Sequence, residues 1–213
     1  MRLLYINPNA TVAMTNSIMA TARAAAPETE ILGWTNHDGP PAIQGAADGE
    51  AAVVGLLGML PRAKAEQVDA IVIACFDDTG LDRVRHAAHC PVIGIGQAAM
   101  SVAALHGGAF GIVTTLDVSV PVIAANVDAY GHNAACAGVF ASGLPVLAVE
   151  AGGTAVEDQL VSTIATAQSA GAKAVVLGCA GMSGLKTALE TRTGLPCIDG
   201  VATSAVVARA MLL

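Results

Sequence analysis

The sequence is short of aromatic residues (3%) and of charge, with only 13% Asp, Glu, Lys and Arg together. Lys and Arg number 10 against 17 Asp and Glu, for a formal net charge of −7, and nowhere do the basic residues cluster. Affinity for a phosphate backbone depends on concentrated positive charge, so no nucleic-acid partner is expected. No apolar run is long enough to span a bilayer. The opening MRLLYINPNATVAMT breaks at Asn7, Pro8 and Asn9 and does not fit a signal peptide. No membrane partner is expected, and the default location is cytoplasmic. There is no Cys-x-x-Cys pair and no Cys/His grouping at zinc-ligand spacing, so no metal site is expected. The histidines His37, His86, His89, His106 and His132 include no i, i+4 pair and read as mostly solvated.

What the chain has in quantity is small and aliphatic: 54% hydrophobic residues and 23 glycines. That composition belongs to a tightly packed folded protein rather than a disordered one. Its 213 residues allow one large domain or two small α/β lobes. Short β-branched runs alternate with Ala-rich helical patterns, which predicts βαβ units and mainly parallel sheets flanked by helices. The strand candidates are Leu3–Ile6, Glu30–Trp34, Ala70–Ala74, Val92–Ile95, Phe110–Val113, Gly138–Ala141, Ala174–Leu177 and Cys197–Ile198. Helical patterns run over Thr11–Ala26, Asp48–Gln67, Gln97–His106, Asp117–Tyr130, Val156–Ser169 and Thr203–Leu213. Pro61 is expected to kink or divide the second of these.

An internal repeat organises the rest. Asp69–Leu81 reads DAIVIACFDDTGL and Lys173–Leu185 reads KAVVLGCAGMSGL. Each has Ala, three aliphatics, a small residue, Cys, three variable positions, Thr or Ser, then Gly-Leu. Downstream, Cys90-Pro91-Val92-Ile93-Gly94 is echoed by Leu195-Pro196-Cys197-Ile198-Asp199, and RLLYINPN has a rough counterpart in AFGIVTT. Any two parallel βα units look alike in composition. Here, however, Cys and Gly-Leu coincide in register, which favours duplication into two similar lobes related by a pseudo-two-fold. The lobes are placed at residues 1–98 with 200–213, and at residues 99–199.

Open α/β sheets bind ligands beyond the carboxyl ends of their strands. Cys75 and Cys179 each follow a buried aliphatic strand, so facing lobes would bring two thiols to one cleft from opposite sides. Moving a proton off one face of a carbon and onto the other needs such a pair of acid/base groups. A thiol ionises near pH 8.5, lower at a helix N-terminus, which puts thiol and thiolate within reach of neutral pH. The turns after the cysteines, through Asp77, Asp78, Thr79 and Gly80 and through Ala180, Gly181 and Ser183, expose backbone N–H groups for a developing enolate oxygen. Thr114 and Thr115 add hydroxyls at another strand end, and Asn9 lies in the Asn7-Pro8-Asn9 turn after the first strand. Each has a plainer alternative. A strand-end Cys can be a small core residue, Asp77 and Asp78 can cap the following helix, Thr114-Thr115 can be turn residues, and Asn9 or Thr11 can be an N-cap. Cys90, Cys136 and Cys197 read as structural. Five cysteines in a chain read as cytosolic are expected to be reduced.

Six segments in order resemble the aspartate/glutamate racemase superfamily, and within it the hydantoin racemase branch that includes allantoin racemases. They are Ile6-Asn7-Pro8-Asn9 with Thr11, Met14 and Thr15; Ala74-Cys75-Phe76-Asp77 with Gly80-Leu81; Pro91 to Gly96; Phe110 to Thr115; Gly178-Cys179-Ala180-Gly181-Met182; and Pro196 to Val201. The resemblance spans nearly the whole chain. It implies two α/β lobes with the active site between them, catalysis by Cys75 and Cys179, no cofactor, and racemisation of 5-monosubstituted hydantoins. It also implies a homo-oligomer and a small-molecule substrate lined by Asn9, Asp77, Thr114, Thr115, Gly178, Ala180 and Gly181. Glutamate racemases usually carry Cys-Asn-Thr and Cys-Thr-His at the two thiols, where this chain has Cys75-Phe76-Asp77 and Cys179-Ala180-Gly181. That departure points away from a free amino acid and toward a neutral cyclic imide. Two cysteines also argue against an arylmalonate decarboxylase-like enzyme, whose relatives use one. The alternatives are an aspartate/glutamate-type racemase, a maleate cis–trans isomerase, and a non-enzymatic binding module. The chain is somewhat short for a hydantoin racemase, and the segment Trp34–Gly45, which would set specificity, leaves the substrate side group open.

Overall fold

The computed structural model describes residues 1–212. The chain alternates strand and helix throughout its first half: β1 (Arg2–Asn7), α1 (Val12–Ala25), β2 (Glu30–Thr35), α2 (Ala46–Ala65), β3 (Ala70–Ile73), α3 (Leu81–Ala87), β4 (Val92–Gly94) and α4 (Ile95–Ala104). The second half repeats the plan: β5 (Phe110–Thr114), α5 (Val120–Ala129), β6 (Cys136–Ala141), α6 (Val146–Ala151), α7 (Thr154–Ser169), β7 (Ala174–Leu177), α8 (Lys186–Thr193), β8 (Cys197–Asp199) and α9 (Gly200–Ala210). Two four-stranded parallel sheets result, ordered β2-β1-β3-β4 and β6-β5-β7-β8. The two orders are the same order, each element standing where its counterpart in the other lobe stands. The architecture is therefore the expected pair of similar α/β lobes.

The central strands are aliphatic on both faces because parallel strands are covered by helices on both sides. Leu3, Leu4, Tyr5 and Ile6 of β1 are all fully buried, as are Ile112 and Val113 of β5. Tyr5 carries a polar atom into this core and satisfies it there: its hydroxyl reaches Val201 O at 3.2 Å and shares a 2.9 Å hydrogen bond with Ser204 Oγ. One apolar core runs through both lobes, from Leu3 and Val72 through Ile95, Met100 and Val201 to Phe110 and Ile112. Helices α4 and α9 pack on each other within it. Ala98, Ala99, Ala103, Ala205 and Ala208 are buried there and keep the two helices close. Gly200 is the tightest point: a Cβ on it would come within 2.7 Å of the Ile95 carbonyl oxygen, so the first turns of α9 and α4 touch.

Three short helices, α3, α6 and α8, were not signalled by the sequence patterns. Pro61 does not divide α2, which runs unbroken through it. It is exposed and lies near the helix end, where the carbonyl that loses its donor can turn to water. The last helix begins three residues earlier than its hydrophobic pattern, at Gly200. The end of that pattern, Leu213, lies outside the described residues.

Candidate active site

Cys75 lies two residues beyond β3 and Cys179 two residues beyond β7, the equivalent place in the other lobe. Both line one narrow cleft between the sheets. Asn9, Asp77, Thr115, Gly178 and Ala180 line it with them. Of the residues expected to line the substrate, Thr114 and Gly181 do not. Thr114 is buried at the end of β5 and its hydroxyl donates to Gly178 O at 3.1 Å, fixing the strand end that leads to Cys179. Gly181 packs against Glu150, and its backbone amide eases the ionisation of the Cys179 thiol. The backbone amide of Asp77 has the same effect on Cys75. The turn amides thus serve the sulfurs.

The remaining walls are apolar: Met14 from α1, Ile43 from the loop before α2, Phe76, and Val146 at the start of α6. Ser119 completes them. Sequence reasoning missed these residues because they come from loops and helix starts that carry no pattern of their own. Ile43, within the segment Trp34–Gly45, was the most accessible to it. The wall is tied across the lobes by Gln44 Oε1, which accepts from Val146 N at 3.2 Å, and by Ser17 Oγ on Glu150 Oε1 at 2.6 Å.

The Asn7-Pro8-Asn9 turn is a closed polar knot. The Asn7 amide donates to Asn9 Oδ1 at 3.0 Å, to Thr11 O at 3.2 Å and to Thr15 Oγ1 at 3.1 Å, and Asn9 Oδ1 also accepts from Thr11 N at 2.9 Å. Thr11 is the N-cap of α1, yet its hydroxyl turns away to Pro41 O at 2.7 Å. Asn9 therefore holds the turn and faces the cleft at once.

The electrostatics differ from the sequence expectation. Burial pushes the Cys179 thiol up to about 12, and Cys75 higher still, with the Asp77 carboxylate raising both. Among the described residues, no Lys, Arg or His lines the cleft to offset this. A cation activates a thiol; these two have a carboxylate beside them instead, and the turn amides do not outweigh burial. Asp77 is itself pushed up to about 6 by burial, with Ser119 Oγ bonded to it at 3.4 Å. Its backbone carbonyl accepts from Asn126 Nδ2 of the other lobe at 3.0 Å.

Asp78 caps a helix, though not the next one in sequence. Its carboxylate accepts from Gly96 N at 2.9 Å and Gln97 N at 2.7 Å, in the first turn of α4, and from the Tyr130 hydroxyl at 2.8 Å. The matching helix after β8, α9, is capped by its own Asp199, which accepts from Val201 N at 3.0 Å and Ala202 N at 3.4 Å. Ser183 donates to the same carboxylate at 2.8 Å. Asp199 was missed as a separate position, though Asp before Gly ahead of an apolar run is an N-cap signal. Cys90, Cys136 and Cys197 do not line the cleft. Cys136 Sγ lies 3.6 Å from Gly138 O and Cys197 Sγ 3.7 Å from Leu195 O. All five are free.

Two parallel lobes of one topology, each bringing a thiol to a shared cleft, define a two-lobed α/β enzyme of the racemase type. The chain belongs to the Asp/Glu/Hydantoin racemase family, whose profile matches residues 3–208. It is 42% identical to a hydantoin racemase of Rhizobium meliloti, over 100% of this chain and 89% of that one. To a hydantoin racemase of a Pseudomonas species it is 33% identical, over 94% and 82%. Among solved structures, the allantoin racemase from Klebsiella pneumoniae superposes with a TM-score of 0.94 at 38% identity, covering 100% of this chain and 87% of that one. A glutamate racemase from Francisella tularensis, at 18% identity and a TM-score of 0.75, shares the fold. The protein is an isomerase of the racemase class. Among the described residues, no helix is long and apolar enough to cross a membrane.

Proposed function

We propose that this protein racemises 5-monosubstituted hydantoins, allantoin among them, by passing the C5 proton between Cys75 and Cys179 without a cofactor. The observation that carries this reading is the placement of two thiols at equivalent strand ends on one cleft. The thiolate of one cysteine takes the proton from C5, and the electron pair moves onto the C4 carbonyl oxygen as an enolate. The thiol of the other cysteine gives its proton to the opposite face of C5 and becomes the thiolate. The opposite enantiomer reverses the two roles. A thiolate in a buried site without cations is a strong base, as a carbon acid requires.

The walls favour a hydantoin over a free amino acid. With no cation lining the cleft, a substrate carboxylate would face Asp77 unpaired, whereas a hydantoin ring offers N–H donors to that carboxylate. Asn9, Thr115, Gly178 and Ala180 would contact the ring, with Thr114 and Gly181 holding the second thiol's turn in place. The likeness to hydantoin and allantoin racemases points the same way. The lobe division at residues 1–98 with 200–213 and 99–199, a cytoplasmic location suited to five reduced thiols, and a homo-oligomer joined through apolar surface such as Val206 of α9 and Met211 just beyond it complete the proposal.

The test is loss of optical rotation over a panel of single enantiomers of 5-substituted hydantoins, allantoin, aspartate and glutamate, with chromatography to follow any conversion of maleate. Racemisation confined to the hydantoins and allantoin is expected. Racemisation of an amino acid, or conversion of maleate to fumarate, in place of these would replace the reading.

A further inference from the structure

The thiol cleft is too narrow for a hydantoin ring. As it stands it has room for about one water molecule, so one of its walls must move to admit a substrate. The lobes as whole bodies are poorly placed to swing apart. A single apolar core runs through both, and α4 and α9 touch at Gly200 with no room for a Cβ.

The wall formed by α6 is held differently. This helix, Val146–Ala151, has six residues and is flanked by Gly143 at φ 77°, Gly152 at 68° and Gly153 at 106°. A Cβ at Gly143 or Gly153 would meet nothing within 4 Å, and at Gly152 only Leu185 at 3.8 Å. Packing therefore does not demand glycine at these places. The backbone conformation does, and glycine passes between conformations more freely than any other residue. The flanks are anchored in the second lobe, Gly143 N to Thr115 O at 2.8 Å and Gly153 O to Glu157 N at 3.0 Å. Beyond its flanks α6 makes two hydrogen bonds among the described residues, and both cross to the first lobe. Val146 N donates to Gln44 Oε1 at 3.2 Å, and Glu150 Oε1 accepts from Ser17 Oγ at 2.6 Å. Its buried face, Val146 and Val149, joins one apolar cluster with Met14 and Ala42 of the first lobe. The helix is thus anchored at its ends in one lobe and fastened in its middle to the other, across the cleft.

We propose that α6 is a flap over the thiols: it lifts about Gly143 and the Gly152-Gly153 pair to admit substrate, and Gln44 and Ser17 latch it shut. The buried valines and the two latches make the shut form the resting one. The proposal rests on the reading that Cys75 and Cys179 are the reacting groups, and adds to it how they are reached.

Access to the thiols tests the flap without turnover. Iodoacetamide is larger than the space in the shut cleft, so it reaches Cys75 and Cys179 only when α6 lifts, and its rate follows the open fraction. At pH 9, Ser17→Ala and Gln44→Ala are each expected to label both thiols about threefold faster than the wild type, and the double variant about tenfold faster. Cys197, buried in the second lobe away from the cleft, should label at an unchanged rate. Hydrogen exchange in the double variant should quicken in α6 and stay as it was in α4 and α9. Unchanged labelling of the cleft thiols would overturn the flap, and so would faster labelling of Cys197 alongside them, which marks general loosening. Hydantoins from the panel above, at saturation, are expected to slow exchange in wild-type α6 as the flap shuts over the ring. If the latch variants behave as stated and no hydantoin slows α6, the flap stands and the hydantoin reading falls.

Discussion

The carboxylate of Asp78 occupies the space that a side chain on Gly94 would fill. Gly94 pairs with Ile73 in the first sheet as Asp199 pairs with Leu177 in the second, so the two are equivalent positions. Asp78 and Met182, each three residues past a cleft cysteine, are equivalent as well. Both lobes therefore cap the first turn of a central helix with a carboxylate, but draw it from different places. One lobe pairs Asp78 with Gly94, and the other pairs Met182 with Asp199. The capping bonds of Asp78 also hold the turn that bears Cys75 and Asp77.

Gly94→Ala is accordingly expected to push Asp78 off the α4 amides, destabilising the protein by about 2 kcal/mol or more and lowering activity with it. Gly94→Asp combined with Asp78→Met rebuilds the arrangement of the second lobe and is expected to unfold at a higher temperature than Gly94→Asp alone. Thermal unfolding of the three variants checks both statements. A double variant no more stable than the single one would show that the two caps are not interchangeable.

The thiols should be slow to alkylate at neutral pH. Burial raises both, Cys179 to about 12, so the thiolate fraction at pH 7 is small and grows about tenfold for each pH unit below that value. Iodoacetamide labelling of Cys75 and Cys179, read by peptide mass, is expected to accelerate in that proportion between pH 7 and 10. Fast labelling independent of pH would show a thiolate already present in the resting site.

Asp77 links the thiols to stability. Its folded value of about 6 lies above that of an unfolded aspartate, about 3.9. The unfolded chain therefore loses this proton more easily. The contribution of Asp77 to stability is full below about pH 4 and is lost as pH rises through 6. Asp77→Asn is expected to be the more stable protein at pH 7, by on the order of 2 kcal/mol, with a flatter stability profile between pH 4 and 7. Removing the carboxylate also relieves both thiols, so their alkylation should quicken at fixed pH. Urea unfolding across that range, together with the labelling assay, reads both effects. An Asp77→Asn variant less stable than the wild type at pH 7 would contradict the sign.

The eight strands were legible because parallel strands buried on both faces must be aliphatic, and the repeat around Cys75 and Cys179 was legible because equivalent turns need equivalent small residues. Asn9, Thr115 and Ala180 could be placed on the cleft because strand ends face it. Thr114 could not be told from Thr115, since adjacent strand residues point to opposite sides and the sequence does not say which faces the other lobe. The helices α3, α6 and α8 are short, and α8 carries little apolar surface to set a period. Met14, Ile43, Ser119 and Val146 meet at the cleft only through the packing of the lobes. The direction of the thiol shifts depends on that packing too, because it follows from what is absent around the sulfurs in space.

The central claim is that two thiols on opposite faces share one proton transfer. The direct measurement follows a single hydantoin enantiomer in heavy water with the wild type, Cys75→Ser and Cys179→Ser, reading deuterium at C5 by mass and configuration by chiral chromatography. The wild type should yield both enantiomers, with deuterium in the newly formed one, and each single variant should lose racemisation while keeping its fold. Either variant racemising at close to the wild-type rate would contradict the account.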